Sequence, residues 1–402
     1  MRRRQLLTML GGAAAAPAFR ARAAVAQPVR IGVLADMAGP LSNISGPAAV
    51  WVAQIAAQDF GNQVLGRPIE IVSGDMGNRV DIGAGLARQW FDEDGVEMIC
   101  DMPNSAVALA VQSLANQRRK IALQTGAGTT ELTEAQCSFF GVHWVFDTYT
   151  QAASTVGAAM ERGGDTWFLI VTDYAFGISL ESSARALIEK NGGKVVGSIR
   201  YPTDTTDFSS YLVQAQASGA KVIGFATNTA GTENLIKQAH EFGISRSKQI
   251  MAPMIIYLPD VHALGLETVQ GTLAVEAYYW DLDDPMRAFG KRFMAKNGAM
   301  PNQTQAAIYG AVQHYLKCVA AAGTTDGETV MKAIRGTPVD DFMTHDARIR
   351  IDGRLVRDTY LFEVKKPSES RGEWDCYKLV HRIPGEQTVI PEADSKCPLF
   401  HS

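Results

Sequence analysis

The chain has 402 residues, 46% of them apolar and 20% charged, with a net charge of −4. The apolar share excludes a disordered chain, and the acidic balance makes nucleic acid a poor partner. The length exceeds a single typical core, so two domains are expected.

Residues 1–26 read as a cleavable export signal. Arg2, Arg3 and Arg4 precede Gln5, Leu6 and Leu7, an alanine-rich apolar stretch follows, and Ala24, Val25 and Ala26 make a small-x-small cleavage site. The order Arg3-Arg4-x-Leu-Leu is similar to a twin-arginine signal, and Arg20 and Arg22 near the cleavage site disfavour the general secretory route. The apolar stretch is too short to span a bilayer, no later segment is long and apolar enough, and no cysteine near the cleavage site offers a lipid anchor. The mature chain is therefore expected in the periplasm. Cleavage near Ala26 removes five arginines and no acid, so 38 basic against 42 acidic residues becomes 33 against 42, a net −9.

From Val29 the pattern alternates: strand 30–34, helix 48–59, strand 69–73, helix 82–92, then strands 96–101 and 120–124, with helices after Ser105 and Thr130. Such alternation specifies a parallel sheet covered on both faces, an α/β fold. The strands 96–101 and 120–124 each run into a loop of small and hydroxylated residues, 102–105 and 125–130. In open α/β sheets ligands bind beyond the carboxyl ends of strands, where helix starts present N–H groups to an anion. Ser105 and the loop of Gly126, Ala127, Gly128 and Thr129 are placed to hold a carboxylate. The alternative is that Asn104, Ser105 and Thr129 or Thr130 only cap the helices that follow.

After a crossing at 146–150 the alternation restarts: strand 166–171, helix 180–190, strand 194–200, helix 208–217, strand 221–226, helix 232–242 and strand 249–252. A strand 272–277, an aromatic loop of Tyr278, Tyr279 and Trp280, and helices near 287–296, 304–321 and 328–334 come next. The tail reads as strands 347–351, 359–364 and 374–379 with a hairpin loop at 367–372, and a late return to both sheets is its expected place. Of the five cysteines, Cys100 and Cys318 sit in apolar elements and read as buried thiols. Cys137 and Cys397 lie in irregular segments and are the pair expected to be bridged, which leaves Cys376 over.

Nothing in the chain composes a catalytic set. The seven histidines show no HExxH spacing, the cysteines no CxxC, and no phosphate-binding GxxxxGK[ST] occurs. Gly83-Ala-Gly85 lacks the third glycine of a dinucleotide fingerprint and falls inside a helix pattern. Asp281, Asp283 and Asp284 stand before a helix, where they suit its dipole better than a metal. No catalytic residue, cofactor or metal is expected.

Ile31-Gly-Val-Leu-Ala-Asp36, Gly39-Pro-Leu-Ser42 and the helix opened by Gly46 resemble the start of type I periplasmic solute-binding proteins of ABC importers, and most strongly their branched-chain amino-acid-binding branch. The resemblance continues through Asn104-Ser105, residues 126–133, Asp173-Tyr-Ala-Phe-Gly177, Gly192-Gly-Lys194, Asp207-Phe208, residues 238–243 and Pro253. Residues 144–149 and Cys397-Pro-Leu resemble a subgroup several of whose members are similar to aromatic-acid binders. The resemblance implies two lobes, each a mainly parallel sheet flanked by helices, joined by three hinge crossovers and closing on a ligand. The lobes would be 27–147 with 277–340, and 148–276 with 341–402 including the tail. It also implies an inner-membrane ABC permease as partner, and the chain is expected to be a monomer. Ser105 matches the family serine that binds the ligand carboxylate, and Gly126 to Gly128 match the loop that holds carboxylate and ammonium. Phe176 falls where the family often places an aromatic on the second lobe, and Asn228 and Thr229 fall at the next ligand-facing junction.

Two departures bear on the ligand. Where amino-acid binders offer a threonine hydroxyl this chain has Gly128, with Thr129 adjacent, and where they offer an acid to the ammonium it has Met254. A buried ammonium without a partner is strongly unfavourable, so the ligand is expected to lack one. Phe176, Met254, Tyr257, Tyr278, Tyr279 and Trp280 fall at strand ends or just beyond, either lining a pocket or packing the lobe interface. As a group they point to a small aromatic carboxylate, a benzoate or a cinnamate. The alternatives are a branched-chain amino acid or amide, a ligand-sensing module, which would need an output domain or anchor, and an enzyme, which would need a catalytic set.

Overall fold

The computed structural model describes residues 27–244 and 249–401, and the expected export signal lies outside the described residues. The first run of elements is β1 (Val29–Ala35), α1 (Gly46–Asp59), β2 (Gln63–Val64), β3 (Arg67–Asp75), α2 (Val80–Asp92), β4 (Val96–Asp101), α3 (Ser105–Arg118), β5 (Ile121–Gln124) and β6 (Gly141–His143). The second is α4 (Thr148–Glu161), β7 (Thr166–Thr172), α5 (Ala175–Lys190), β8 (Lys194–Tyr201), α6 (Ser209–Ala217), β9 (Val222–Ala226), α7 (Thr229–Glu241) and β10 (Ile250–Pro253). Then follow α8 (Leu258–Leu264), α9 (Leu266–Val269), β11 (Leu273–Glu276), α10 (Asp284–Asn297), α11 (Gln303–Ala322), α12 (Gly327–Gly336), β12 (Val339–Asp341), β13 (Thr344–Ile349), β14 (Leu355–Val356), β15 (Thr359–Val364) and β16 (Tyr377–Ile383).

The first run forms a six-stranded sheet in the order β2-β3-β1-β4-β5-β6, parallel except where β2 meets β3. The second forms a parallel sheet in the order β10-β9-β7-β8. Central strands such as β1 and β9 are near-continuous apolar runs, because helices cover both faces of a parallel sheet. One contiguous core joins the two sheets through Phe146, Phe176, Met254 and Tyr257, while Phe208, Phe225, Phe362 and Tyr377 belong to a second core.

Three expectations change. The helix after Thr130 is only a single 3-10 turn, Thr130–Leu132, because the chain then turns inward and Glu134 is taken up by the tail, accepting from Ser395 Oγ at 2.9 Å and Lys396 N at 2.7 Å. The three-residue strand β6 was not anticipated. The tail does not return to the two sheets: it builds antiparallel sheets of its own, β11-β15-β16 and β12-β13-β14, and touches the first sheet at a His143–Arg354 bridge. Antiparallel strands pair across short connections, and β15 is already flanked on both edges by β11 and β16.

Cys137 and Cys397 are bridged with Cα atoms 5.6 Å apart, and Cys100, Cys318 and Cys376 are free and buried. A disulfide of this kind belongs to an oxidising compartment. It closes a loop of 260 residues in the unfolded chain. Cys397→Ser is therefore expected to lower stability by about 2–5 kcal/mol, read from urea unfolding without reductant. An unchanged midpoint would mean that loop closure contributes nothing here.

Candidate functional site: the cleft between the two sheets

The carboxyl ends of β1, β4 and β5 face those of β7, β9 and β10 across a cleft. Its floor begins at β4, where Asp101 (φ 76°) and Met102 (φ 56°) both occupy the left-handed region. For residues other than glycine this costs about 1–3 kcal/mol each and persists only when the surroundings enforce it. Met102 N donates to Leu34 O at 3.0 Å, Gly126 N donates to Asp101 O at 3.0 Å, and Ser45 Oγ donates to Asp101 Oδ2. Burial, opposed by the Ser45 hydrogen bond and reinforced by Asp36, pushes the Asp101 carboxyl up to about 7. The bend turns Pro103, Asn104 and Ser105 towards the 126–129 loop. Asp36 accepts from Gly39 N at 3.0 Å and Leu41 N at 2.9 Å, which folds the β1–α1 loop over the same space.

Within this frame the sequence-derived residues separate into three groups. Gly126, Phe176, Asn228 and Thr229 line a small cavity of about 20 Å³ together with Leu41, Ile44, Pro103, Phe146, Tyr174, Ile255 and Tyr257. That is room for little more than one water, so in this closed form the cleft is filled by its own side chains. Ser105, Ala127, Gly128 and Thr129 form the wall behind: Ser105 Oγ accepts from Gly128 N at 3.4 Å and Thr129 N at 3.3 Å. His143 Nε2 bonds Ala127 O at 2.8 Å, and burial holds this imidazole down at about 4, so it is neutral and donates there. Thr129 also caps its 3-10 turn, accepting from Glu131 N at 3.3 Å.

The third group lies off the cavity. Asn104 is a helix cap, its Oδ1 accepting from Ala106 N at 2.9 Å and Val107 N at 3.1 Å and its Nδ2 donating to Asn78 at 2.7 Å. Met254 is buried behind the cavity, where its methyl group lies near Gly224, and the adjacent Ile255 takes the lining position. Tyr278 packs against Phe289 and Phe342 and donates to Met286 O at 3.2 Å. Tyr279 and Trp280 are likewise engaged with Tyr377 and with Trp374 O. Leu41, Ile44, Pro103, Phe146, Tyr174 and Ile255 are not picked out by sequence reasoning, although Leu41, Pro103, Phe146 and Tyr174 lie in motifs or loops that it singles out.

Gly128 is the residue on which the cavity turns. A Cβ there would stand 2.6 Å from Phe176 Cε2 and 2.8 Å from Phe146 Cε2. The absent side chain is what lets both rings approach the amide-bearing loop. Contacts also cross the cleft. Asn43 Nδ2 donates to Asp260 Oδ1 at 3.1 Å and reaches Thr229 Oγ1 at 3.5 Å, and Thr130 N donates to Ser179 Oγ at 3.2 Å. The two sides are therefore closed on each other.

A larger open groove of about 650 Å³ runs past His345, Arg348, Arg357, Arg382 and Glu386. No residue of the β4–α3 or β5 loops lines it, and Arg348 and Arg382 are already paired with Glu386 and Asp358, so the smaller cleft is the candidate. Among the described residues no cluster of His, Cys, Asp or Glu is arranged to hold a metal ion.

Residues 28–372 match the periplasmic binding protein family, and the chain belongs to it. A periplasmic binding protein from Burkholderia mallei is 42% identical, with a TM-score of 0.91 over 93% of this chain and 99% of that one. A branched-chain amino acid ABC transporter periplasmic ligand-binding protein from Burkholderia xenovorans is 39% identical, with a TM-score of 0.83 over 92% and 100%. A solute-binding protein of an ABC transporter from R. palustris, solved with 4-hydroxybenzoate, shares the fold at 22% identity, TM-score 0.79, over 89% and 97%. The chain is thus a periplasmic solute-binding protein with the two-lobed type I fold, each lobe a mainly parallel sheet flanked by helices.

Proposed function

We propose that the protein captures a small aromatic carboxylate, benzoate- or cinnamate-like, between its lobes and delivers it to an ABC permease of the inner membrane. The observation that carries this reading is the pairing of Gly128 with Phe146 and Phe176, which sets aromatic walls directly against a loop of backbone amides. Tyr174 and Tyr257 complete the apolar lining, and the cleft opens from this closed form to admit a ring. The R. palustris protein named with 4-hydroxybenzoate lends the same fold to the same class of ligand. In this reading the carboxylate takes over the Gly128 and Thr129 amides that now donate to Ser105 Oγ, Ser105 turns its hydroxyl to donate to it, and Phe176, Asn228 and Thr229 close over the ring.

A thermal-shift screen against amino acids, amides, aliphatic acids and aromatic acids tests it, since a ligand that binds only the folded state raises the melting temperature. A rise confined to aromatic acids supports the reading; a rise with leucine alone rejects it. Ser105→Ala is expected to weaken binding of the best aromatic acid by about 1–3 kcal/mol, the worth of a hydrogen bond to a charged group, measured by calorimetry. Unchanged affinity would remove Ser105 from the site.

One observation favours a second reading. Asp260 and Glu276 are fully buried and neither forms an ion pair among the described residues. In an amino-acid binder such carboxyls would receive the ammonium group in place of the acid that Met254 replaces, and leucine would then be the stabilising ligand.

A further inference from the structure

The contact of Asn43 with Asp260 joins the β1–α1 loop of the first sheet to the helix after β10 of the second. Asn43 is held firmly for that role, because its carbonyl accepts from Asn302 Nδ2 at 3.2 Å and Gln305 Nε2 at 3.3 Å at the start of α11. Asp260 is 1% exposed, and its other oxygen accepts from Tyr257 N at 2.8 Å at the start of α8. The titratable groups that face it are Glu233 of α7, Glu276 of β11, Tyr257 of its own turn and Tyr377 of β16. The cation near this group is Lys237, which lies 3.8 Å from Glu233. A carboxyl that already stands beside others on its own side of the cleft has thus been placed where closing the cleft strips its water.

We propose that Asn43 and Asp260 form a latch across the cleft that closes with uptake of a proton, so that the protein holds its ligand more tightly as the pH falls. When the cleft opens, Asp260 loses Asn43 and gains water, so its titration moves back towards the ordinary carboxylate range, while Glu233 stays beside it. In the closed form burial first and Glu233 second hold Asp260 well above that range, and burial is the part that closure adds. The closed form therefore binds more protons than the open form, and acid favours closure. The effect spans the interval between those two values, up to about tenfold in the closure constant per pH unit, and vanishes above the closed-state value. Glu276 is also raised, to about 8, chiefly by burial, but it is held by Leu258 N at 3.0 Å and Tyr377 Oη at 2.9 Å on its own side of the cleft. It keeps those partners in both forms and contributes no latch.

Small-angle scattering of the unliganded protein tests this without reference to the ligand's identity. The radius of gyration is expected to fall as the pH is lowered from about 8 to about 5, and Asp260→Asn is expected to remove that dependence. Glu233→Gln, which leaves the α8 cap intact, is expected to move the transition to lower pH while the protein remains folded by circular dichroism. A wild-type radius that does not change with pH, or an Asp260→Asn protein that follows the wild-type curve, would overturn the latch. Either result would leave the aromatic-acid reading to be judged by its own screen.

Discussion

Replacing Gly128 with threonine is expected to weaken aromatic-acid binding at least a hundredfold, about 3 kcal/mol, while the protein still folds. The first added atom would already stand 2.6 Å from Phe176 and 2.8 Å from Phe146, closer than any relaxed carbon contact. Phe146 belongs to the first crossover and is 2% exposed, so it has little room to yield. Phe176, in the first turn of α5, also lines the cavity and stands closer, so it is the ring that must move first. Moving it displaces the wall that a bound ring would stack against. Overpacking of this kind lowers stability by about 1–3 kcal/mol, which a domain of this size tolerates. Phe176→Ala in the Gly128→Thr background relieves the 2.6 Å contact but leaves the one with Phe146 and removes the wall, so it should not recover aromatic-acid affinity. Calorimetry and melting of the two variants separate these effects. If the single variant binds aromatic acids as the parent does, the close approach of the two rings to the loop has no part in recognition.

Position 128 also illustrates how far the sequence reaches. The alternating pattern is sufficient for β1, β3, β4, β5 and the second sheet, because the central strands are apolar runs and the outer β3 and β8 alternate half-buried and exposed residues. The loops after β4 and β5 followed from that. What a single-sequence pattern lacks is direction. Residues at a strand end alternate between faces, and a shift of one exchanges them, so Met254 and Ile255 could not be told apart until the backbone was seen. Tyr278, Tyr279 and Trp280 have the composition of a pocket wall, yet each is consumed by tail and helix residues distant in sequence, Phe342, Tyr377 and Trp374. Non-local pairing of this sort also hid β6 and the two antiparallel tail sheets. The Cys137–Cys397 bridge was legible for the opposite reason: the other three thiols sit in or beside apolar elements, which left two in loops.

Arg354→Met is expected to produce the largest loss of stability, about 3–5 kcal/mol, the usual consequence of removing one member of a buried ion pair. Arg354 Nε lies 2.9 Å from Asp147 Oδ2, with the two side chains 2% and 3% exposed. The guanidinium also donates to His143 O at 3.3 Å and Thr150 Oγ1 at 3.3 Å, so it ties the start of β14 to the first crossover. Asp147 in turn caps α4 through Thr150 N at 2.7 Å. Without Arg354 the carboxylate would remain in a dry site with only the amide and hydroxyl of Thr150 to satisfy it. Asp147→Asn keeps the cap and removes the charge, so the double variant Asp147→Asn with Arg354→Met should regain a large part of the loss, as a coupling measured by a double-mutant cycle in urea. The consequence extends to the cleft. Thr148 N donates to Gly128 O at 2.7 Å and His143 bonds Ala127 O, so the segment that Arg354 fixes is the one that shapes the ligand loop. The single variant should accordingly lose ligand affinity as well as stability, and the double variant should regain both together. Additive single effects would mean that the pair is not coupled and that the crossover is held by its backbone hydrogen bonds alone.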